Sequence, residues 1–354
     1  HKYIPGGGGD GAWRFGMRHA WVIAPQREGA HNWEGHGWWC ALRSLEVLAA
    51  ATSGTPLAVD ARRVLVSGHS RGGHGAWLYL TNRPDATLAA MPAAGWSNRQ
   101  LYGDANSIFM YDAQLSEMDA RARGVLENTL LEYDTAISAP NAYGVPVLAR
   151  VGSADTSVHP YHTRRMVRLL SARGGVRLQN VSLSEIDTTT AGPAQHWWWD
   201  TTTTNDGGVV FDGPIRSFLD AAATRPMPLP LPTGGLALRV INPATSAGRG
   251  GVRIRQQITA FALAELDAAP RAESTWRFTT ANVRRFSVAA LDAPLPDGAP
   301  SPYESIRSGG LVVDGEMLRP PPADYPLRQP LCYELAHDEP VLVRSGDEST
   351  QGEV

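Results

Sequence analysis

The chain has 354 residues, 43% of them hydrophobic and 19% charged, and carries a formal net charge of −3. That length and apolar content can bury a sizeable core and favour two domains over one. The slightly negative charge excludes the basic surface with which proteins bind nucleic acids or anionic membranes, and no apolar run reaches the roughly 18 residues that cross a bilayer.

The chain begins at His1, without an initiator methionine or a signal-peptide pattern. We interpret it as a fragment or a processed product, so a secreted and a cytoplasmic location both stay open. Its two cysteines, Cys40 and Cys332, fall in different predicted domains. We therefore expect no disulfide framework.

Residues 1–223 alternate short apolar runs with helix-like stretches. The predicted strands are 20–24, 63–67, 88–92, 145–151 and 176–181, and the predicted helices are 38–51, 72–81, 161–172 and 214–222. This alternation is typical of an α/β domain with a parallel sheet and helices on both faces. An insertion at about 97–143 has helical periodicity, and two interpretations of it stay open: a small helical cap over the site, or a plain crossover with an extra helix.

The composition changes at the Pro-rich stretch 224–235, which predicts a semi-extended linker. Beyond it the pattern predicts eight short strands, at 236–241, 252–257, 260–266, 274–280, 285–291, 310–313, 332–336 and 341–344. Short strands separated by turn residues favour an all-β sandwich over 236–345, followed by a polar tail at 346–354. This second part holds one of the ten histidines, His337, and no group of residues suited to catalysis.

The motif Gly-X-Ser-X-Gly occurs once with the right surroundings, at Gly68-His69-Ser70-Arg71-Gly72. An apolar strand precedes it, and the small residues of 72–76 follow it. This is the pattern of a nucleophile elbow, in which a strained turn from strand to helix exposes the serine hydroxyl at the carboxyl end of the sheet. The Arg71 amide, at the start of the helix, is then a natural donor to an oxyanion.

A serine needs a base to take its proton and an acid to orient that base. In this type of fold the chain order is serine, acid, histidine. Asp155 follows the predicted strand 145–151, and His196 follows the last predicted strand of the sheet. The sequence therefore predicts a triad of Ser70, Asp155 and His196 at one sheet edge.

Other residues compete for these roles. His159 and His162 could suggest a metal site, but no cysteine or second carboxylate has matching spacing, so no metal is expected. His69 and His74 lie on the elbow itself and are badly placed to face the serine hydroxyl. The remaining candidates are His31 and His36 as pocket or packing residues, Trp197 to Trp199 as an aromatic wall or core, and Glu185 and Asp187 as alternative acids.

Three segments together resemble the catalytic domain of the prolyl oligopeptidase family of serine peptidases: the elbow at 68–73, the acid loop at 152–158, and Gln195-His196-Trp197-Trp198-Trp199-Asp200. The last resembles the Gly-His-Trp-Trp-Asp-type motif of a branch of large hydrolases. The likeness extends more loosely to 275–286 and 312–315. The resemblance implies an α/β-hydrolase fold, no cofactor and a peptide substrate.

The sequence departs from that family at two places. Arg71 stands where Tyr, Asn or Met is more frequent, a change that leaves the backbone amide in place. The early strands of the hydrolase sheet are not found, and we expect them upstream of His1, with the second oxyanion donor. An upstream segment of the parent chain is thus an expected partner, because losing one donor costs about 10² to 10³ in turnover.

Acyl transfer to water, with a small peptide or ester as substrate, is the function that these residues favour. The runner-up is a carboxylesterase acting on carbohydrate or polyester substrates, with the tryptophans, Trp197 among them, as a platform for a sugar or aryl group. A third hypothesis is a non-catalytic scaffold or binding module. Amide against ester turnover separates the first two, and a probe for activated serines separates both from the third.

Overall fold

The structure is a computed structural model. It describes residues 17, 19–25, 32–99, 101–102, 118–173, 176–177, 180–189, 192–197, 213–227, 229, 231, 235–271, 275–291, 295, 300–318, 320–322, 324–326, 329–335 and 340–343. Four positions or stretches singled out above lie outside these residues: His31, Trp198 and Trp199, His337, and the polar tail.

The first part of the chain builds an α/β unit. Its elements in order are α1 (His36–Thr52), β1 (Val64–His69), α2 (Arg71–Asn82), β2 (Thr87–Ala93), α3 (Ala120–Leu131), α4 (Thr135–Ser138), β3 (Val147–Gly152), α5 (Tyr161–Ser171), β4 (Ala172–Arg173), β5 (Val176–Arg177), β6 (Val181–Ile186), β7 (Thr188–Thr189), β8 (Gly192–Pro193) and α6 (Gly213–Ala223). Strands β1, β2, β3 and β6 form a parallel sheet in that order.

Helices cover both faces of this sheet. On one face, Trp77 of α2 and Met166 of α5 pack with Ala149 of β3 in one buried cluster. On the other, Ile215 of α6 packs with Met91 of β2. Both faces of β2 are buried, so its sequence reads as an unbroken apolar run, as central parallel strands do. The predicted α/β architecture is confirmed.

Two predicted strands were wrong. Residues 21–25 belong to no strand, and the side chains of Trp21 and Val22 are exposed there. The predicted strand at 176–181 is instead a short hairpin of β4 and β5 followed by β6. β6 alternates apolar and polar residues because it lies at the edge of the described sheet, where one face meets solvent. A search for a continuous apolar run therefore misses it.

The second part of the chain is a β-sandwich, as predicted. Its elements are β9 (Leu236–Val240), β10 (Val252–Gln257), β11 (Ala264–Pro270), β12 (Trp276–Ala281), β13 (Val283–Val288), α7 (Pro302–Arg307), β14 (Leu311–Val313), β15 (Glu316–Met317), β16 (Leu331–Leu335) and β17 (Pro340–Val343). One sheet has the order β10-β13-β16-β17 and the other β15-β14-β12-β11-β9. Their inner faces enclose one core that includes a row of rings from Phe278, Phe286 and Tyr333.

Polar contacts join the sandwich to the end of α2. Arg249, 2% exposed, donates to Asp85 Oδ1 at 2.9 Å, and the Gly251 amide donates to the other oxygen of the same carboxylate. The Ala247 amide donates to the carbonyl of Asn82, the last residue of α2. Because the last carbonyls of a helix lack partners within it, the sandwich completes the C-terminal end of α2.

The insertion at 97–143 contains the predicted helical structure, with α3 and α4 among its described residues. α3 has no fully buried residue, and its role as a cap stays a prediction, as do the domain boundaries. Neither Cys40 nor Cys332 forms a disulfide. In the part of the chain that the structure describes, no helix combines the length and the apolar character that a bilayer span requires.

Candidate active site

The loop between β1 and α2 is a strained elbow. Ser70 has φ 55° and ψ −116°, in the region that residues with a side chain rarely adopt. Such a residue costs about 1 to 3 kcal/mol and persists only where its surroundings fix it. Here the Ser70 amide donates to the Ala93 carbonyl at 2.9 Å, and the Ser70 carbonyl accepts from the His74 amide. The serine is thereby fixed at the carboxyl end of the parallel sheet.

Close backbone packing around the elbow explains most of its small residues. A Cβ on Gly68 would lie 2.1 Å from the Gly72 carbonyl oxygen, and one on Gly73 would lie 2.4 Å from the Ala93 oxygen. A Cβ on Gly75 would meet the ring of Trp33 at 2.8 Å. Gly72 differs from these, because a Cβ there would meet nothing within 4 Å.

Gly73→Ala is expected to lower the free energy of unfolding by about 1 to 3 kcal/mol, because the added methyl group forces helix and strand apart. Gly72→Ala is the matched control, one residue away with open space around it, and should change stability by no more than about 1 kcal/mol. Denaturant unfolding of both variants measures the difference. Equal midpoints for the two would contradict the close packing of α2 on β2.

His196 and Asp155 form a buried pair. His196 Nδ1 lies 2.7 Å from Asp155 Oδ2, and the two residues are 6% and 2% exposed. The other oxygen of Asp155 accepts hydrogen bonds from the amides of Ser157 and Val158. Both oxygens of the carboxylate are therefore fixed, so it orients the imidazole. With Nδ1 donating to the carboxylate, a neutral imidazole keeps its basic lone pair on Nε2.

The imidazole of His196 packs against the elbow. The ring of His69, the residue before Ser70, lies 4.5 Å from the ring of His196 and 4.6 Å from that of Trp197. Burial, followed by the charge of His196, lowers the pKa of His69 to about 2. His69 is therefore neutral in the physiological range and adds no charge beside His196. The sequence predicts that His69 is badly placed to face the serine hydroxyl, and in the structure its ring packs against that of His196.

Trp197 lies beside His196 with part of its surface open to solvent. The residue is 46% exposed, and its ring makes an edge contact with the ring of His196 at 5.3 Å. This position suits the predicted aromatic wall, and contact with substrate stays a prediction. The same holds for Arg71: it begins α2, so its amide is among those without an acceptor inside the helix, and its oxyanion role stays a prediction.

The competing residues have other partners. Glu185 pairs with Arg164. His159 Nδ1 accepts a hydrogen bond from the Tyr161 amide, whereas His162 is buried against the backbone and hydroxyl of Ser97. His36 lies on α1, 3.3 Å from the sulfur of Cys40.

One group of residues beside the elbow was missed by sequence reasoning. His74 is fully buried, with Nδ1 3.0 Å from the Trp96 carbonyl and Nε2 3.0 Å from Glu34 Oε1. Glu34 also accepts from Arg99 at 2.7 Å. The rings of His74, Trp96 and Tyr102 stack in series, with centroids 4.7 and 4.2 Å apart. No local motif could have identified this group, because its members lie 40 and 65 residues apart.

A family model and a curated relative each match part of this chain. The model of the prolyl oligopeptidase family matches residues 44–185, which include Ser70 and Asp155. An uncharacterized secreted protein of Arthroderma benhamiae is 26% identical over 290 residues, which are 78% of this chain and 28% of that protein. The chain thus spans little more than a quarter of that relative's length.

Solved structures that match part of the chain include an acylaminoacyl peptidase of Pyrococcus horikoshii, at 16% identity and a TM-score of 0.33. The match covers 44% of this chain and 23% of that one. A puromycin-hydrolyzing peptidase of Mycobacterium tuberculosis is 19% identical, with a TM-score of 0.33. That match covers 51% of this chain and 23% of the peptidase chain.

Proposed function

We propose that this chain is the catalytic part of a serine peptidase that acts through Ser70. The match of residues 44–185 to the model of the prolyl oligopeptidase family supports this proposal. The buried hydrogen bond between His196 and Asp155, packed against the strained elbow of Ser70, carries this proposal.

The chemistry follows from these positions. Ser70 Oγ attacks the substrate carbonyl carbon while His196 Nε2 takes the hydroxyl proton. Asp155 stabilises the imidazolium that forms, and the Arg71 amide donates to the carbonyl oxygen as it becomes negative. When the tetrahedral intermediate collapses, His196 returns the proton to the leaving group. Water then cleaves the acyl-enzyme with the same histidine as base.

Labelling with a fluorophosphonate probe tests the nucleophile. Its phosphorus forms a bond to an activated serine oxygen and expels fluoride, and mass spectrometry locates the adduct. We expect the adduct on Ser70 and its complete loss in Ser70→Ala. An adduct that persists elsewhere in Ser70→Ala would overturn the assignment. A folded wild-type chain that takes up no probe would favour the scaffold hypothesis.

A second experiment asks whether the enzyme cleaves an amide bond or only an ester bond. The family favours a peptide substrate, but amide and ester hydrolysis pass through the same tetrahedral intermediate. Matched anilide and phenyl ester substrates with one acyl group separate the two. Turnover of the anilide supports a peptidase, and turnover of the ester alone supports the carboxylesterase.

A further inference from the structure

Three ionisable side chains form a chain of contacts behind the elbow. His74 lies one helical turn after Ser70 on α2, Glu34 bridges it to Arg99, and Arg99 lies in the loop that follows β2. His74 is 0% and Glu34 6% exposed, whereas the side chain of Arg99 is 33% exposed. The charge of the group thus reaches solvent at Arg99.

The hydrogen bonds fix the net charge of this group. Nδ1 of His74 faces the Trp96 carbonyl, which can only accept, so Nδ1 carries a hydrogen. Nε2 faces a Glu34 oxygen, so one further proton lies between that nitrogen and that oxygen. Imidazolium with carboxylate, or neutral imidazole with carboxylic acid, sums to zero. The charge of Arg99 is therefore left over, and the group carries +1 in either state.

Three neighbouring titratable groups bear on that charge: Tyr133, His162 and Asp134. Burial raises the pKa of Tyr133, whose hydroxyl accepts from the Gly35 amide, so it stays neutral. Burial is also the main cause that lowers the pKa of His162 to about 4. The nearby carboxylate of Asp134 accepts from Asn98 and from the Ala136 amide at the start of α4. It is thus held by groups other than Arg99.

We propose that Arg99 binds a carboxylate of the substrate close to the scissile bond, so that the enzyme prefers acyl groups carrying a negative charge. Glu34 accepts a hydrogen bond from Nη1 of Arg99, whose side chain is 33% exposed. Arg99 follows β2, so it lies at the sheet edge that also carries Ser70. A guanidinium binds a carboxylate through two parallel hydrogen bonds. A substrate carboxylate would also neutralise the +1 charge. This inference names the substrate class of the proposed serine hydrolase and rests on that function.

Two matched esters test the preference: mono-p-nitrophenyl glutarate, which is an anion, and its methyl ester, which is neutral. We expect kcat/KM to be about tenfold or more higher for the anion, since only the anion can form charge-assisted hydrogen bonds with Arg99. Arg99→Gln should bring that ratio to about one, chiefly by raising KM for the anion. Arg99→Lys should keep part of the ratio. The control is Arg43→Gln on α1, where the arginine side chain is 73% exposed. This variant should keep the full ratio of kcat/KM between the two esters.

Two results would overturn the inference. The first is equal kcat/KM for the two esters in the wild type. The second is a ratio that survives in Arg99→Gln, including the case in which both esters lose activity equally, which indicates a structural role. Failure to hydrolyse either ester, together with no fluorophosphonate adduct on Ser70, would instead overturn the proposed function and this inference with it.

Discussion

Asp155→Asn is expected to lower kcat by about 10³- to 10⁴-fold while the fold stays intact, by analogy with the same change in other serine hydrolases. The amides of Ser157 and Val158 hold one oxygen of residue 155. An asparagine would keep its oxygen on those amides and turn its NH₂ group toward His196 Nδ1. The imidazole would then carry its hydrogen on Nε2, where it cannot accept the proton of Ser70.

Steady-state hydrolysis of an activated ester measures the loss, and thermal unfolding verifies the fold. Glu185→Gln is the matched control, because it makes the same chemical change at a rival acid that pairs with Arg164. We expect that variant to keep kcat within about threefold, since the wrong tautomer is not imposed there. Equal losses in the two variants would contradict Asp155 as the orienting acid.

Asp85→Ala is expected to lower the free energy of unfolding by about 2 to 4 kcal/mol. Removing one member of a buried ion pair costs about 3 to 5 kcal/mol because the other charge stays buried. The cost is reduced here because the side chain of Asp85 is 32% exposed, whereas that of Arg249 is 2% exposed. The same change also removes the acceptor of the Gly251 amide.

Denaturant unfolding compares this variant with Glu46→Ala, which breaks the exposed pair of Arg43 and Glu46 on α1 and should cost less than about 0.5 kcal/mol. The double variant Asp85→Ala, Arg249→Met should lose less free energy of unfolding than the two single variants lose together. The two side chains are in contact, so each single change leaves the other charge without its partner. We also expect the α/β unit and the sandwich to unfold together. If Asp85→Ala were as stable as Glu46→Ala, the contact between Asp85 and Arg249 would not contribute to the stability of the fold.

Local chemistry made the elbow and its partners predictable. Gly-X-Ser-X-Gly between an apolar strand and small residues has few structural solutions, and chain order then points to an acid after a later strand and a histidine after the last. The contact between His196 and Asp155 has the expected members. The sandwich was predictable for a similar reason, since its short strands alternate with turn residues.

Tertiary structure determined the rest. β6 at the sheet edge has a half-polar sequence, so its position was predicted several residues too early. The run at 20–24 is apolar, but Trp21 bonds the Leu57 carbonyl from an exposed position and does not extend a sheet. The group of Glu34, His74 and Arg99 depends on contacts between distant segments.

The contact between Asp85 and Arg249 also bears on how the protein is made. The two residues are separated by 164 positions in the chain, and ribosomes add about 5 to 20 residues per second. Arg249 is therefore synthesised roughly ten to thirty seconds after Asp85. For that interval the C-terminal end of α2 lacks its partners from the sandwich, and incompletely folded chains of this kind expose surface that is prone to aggregation.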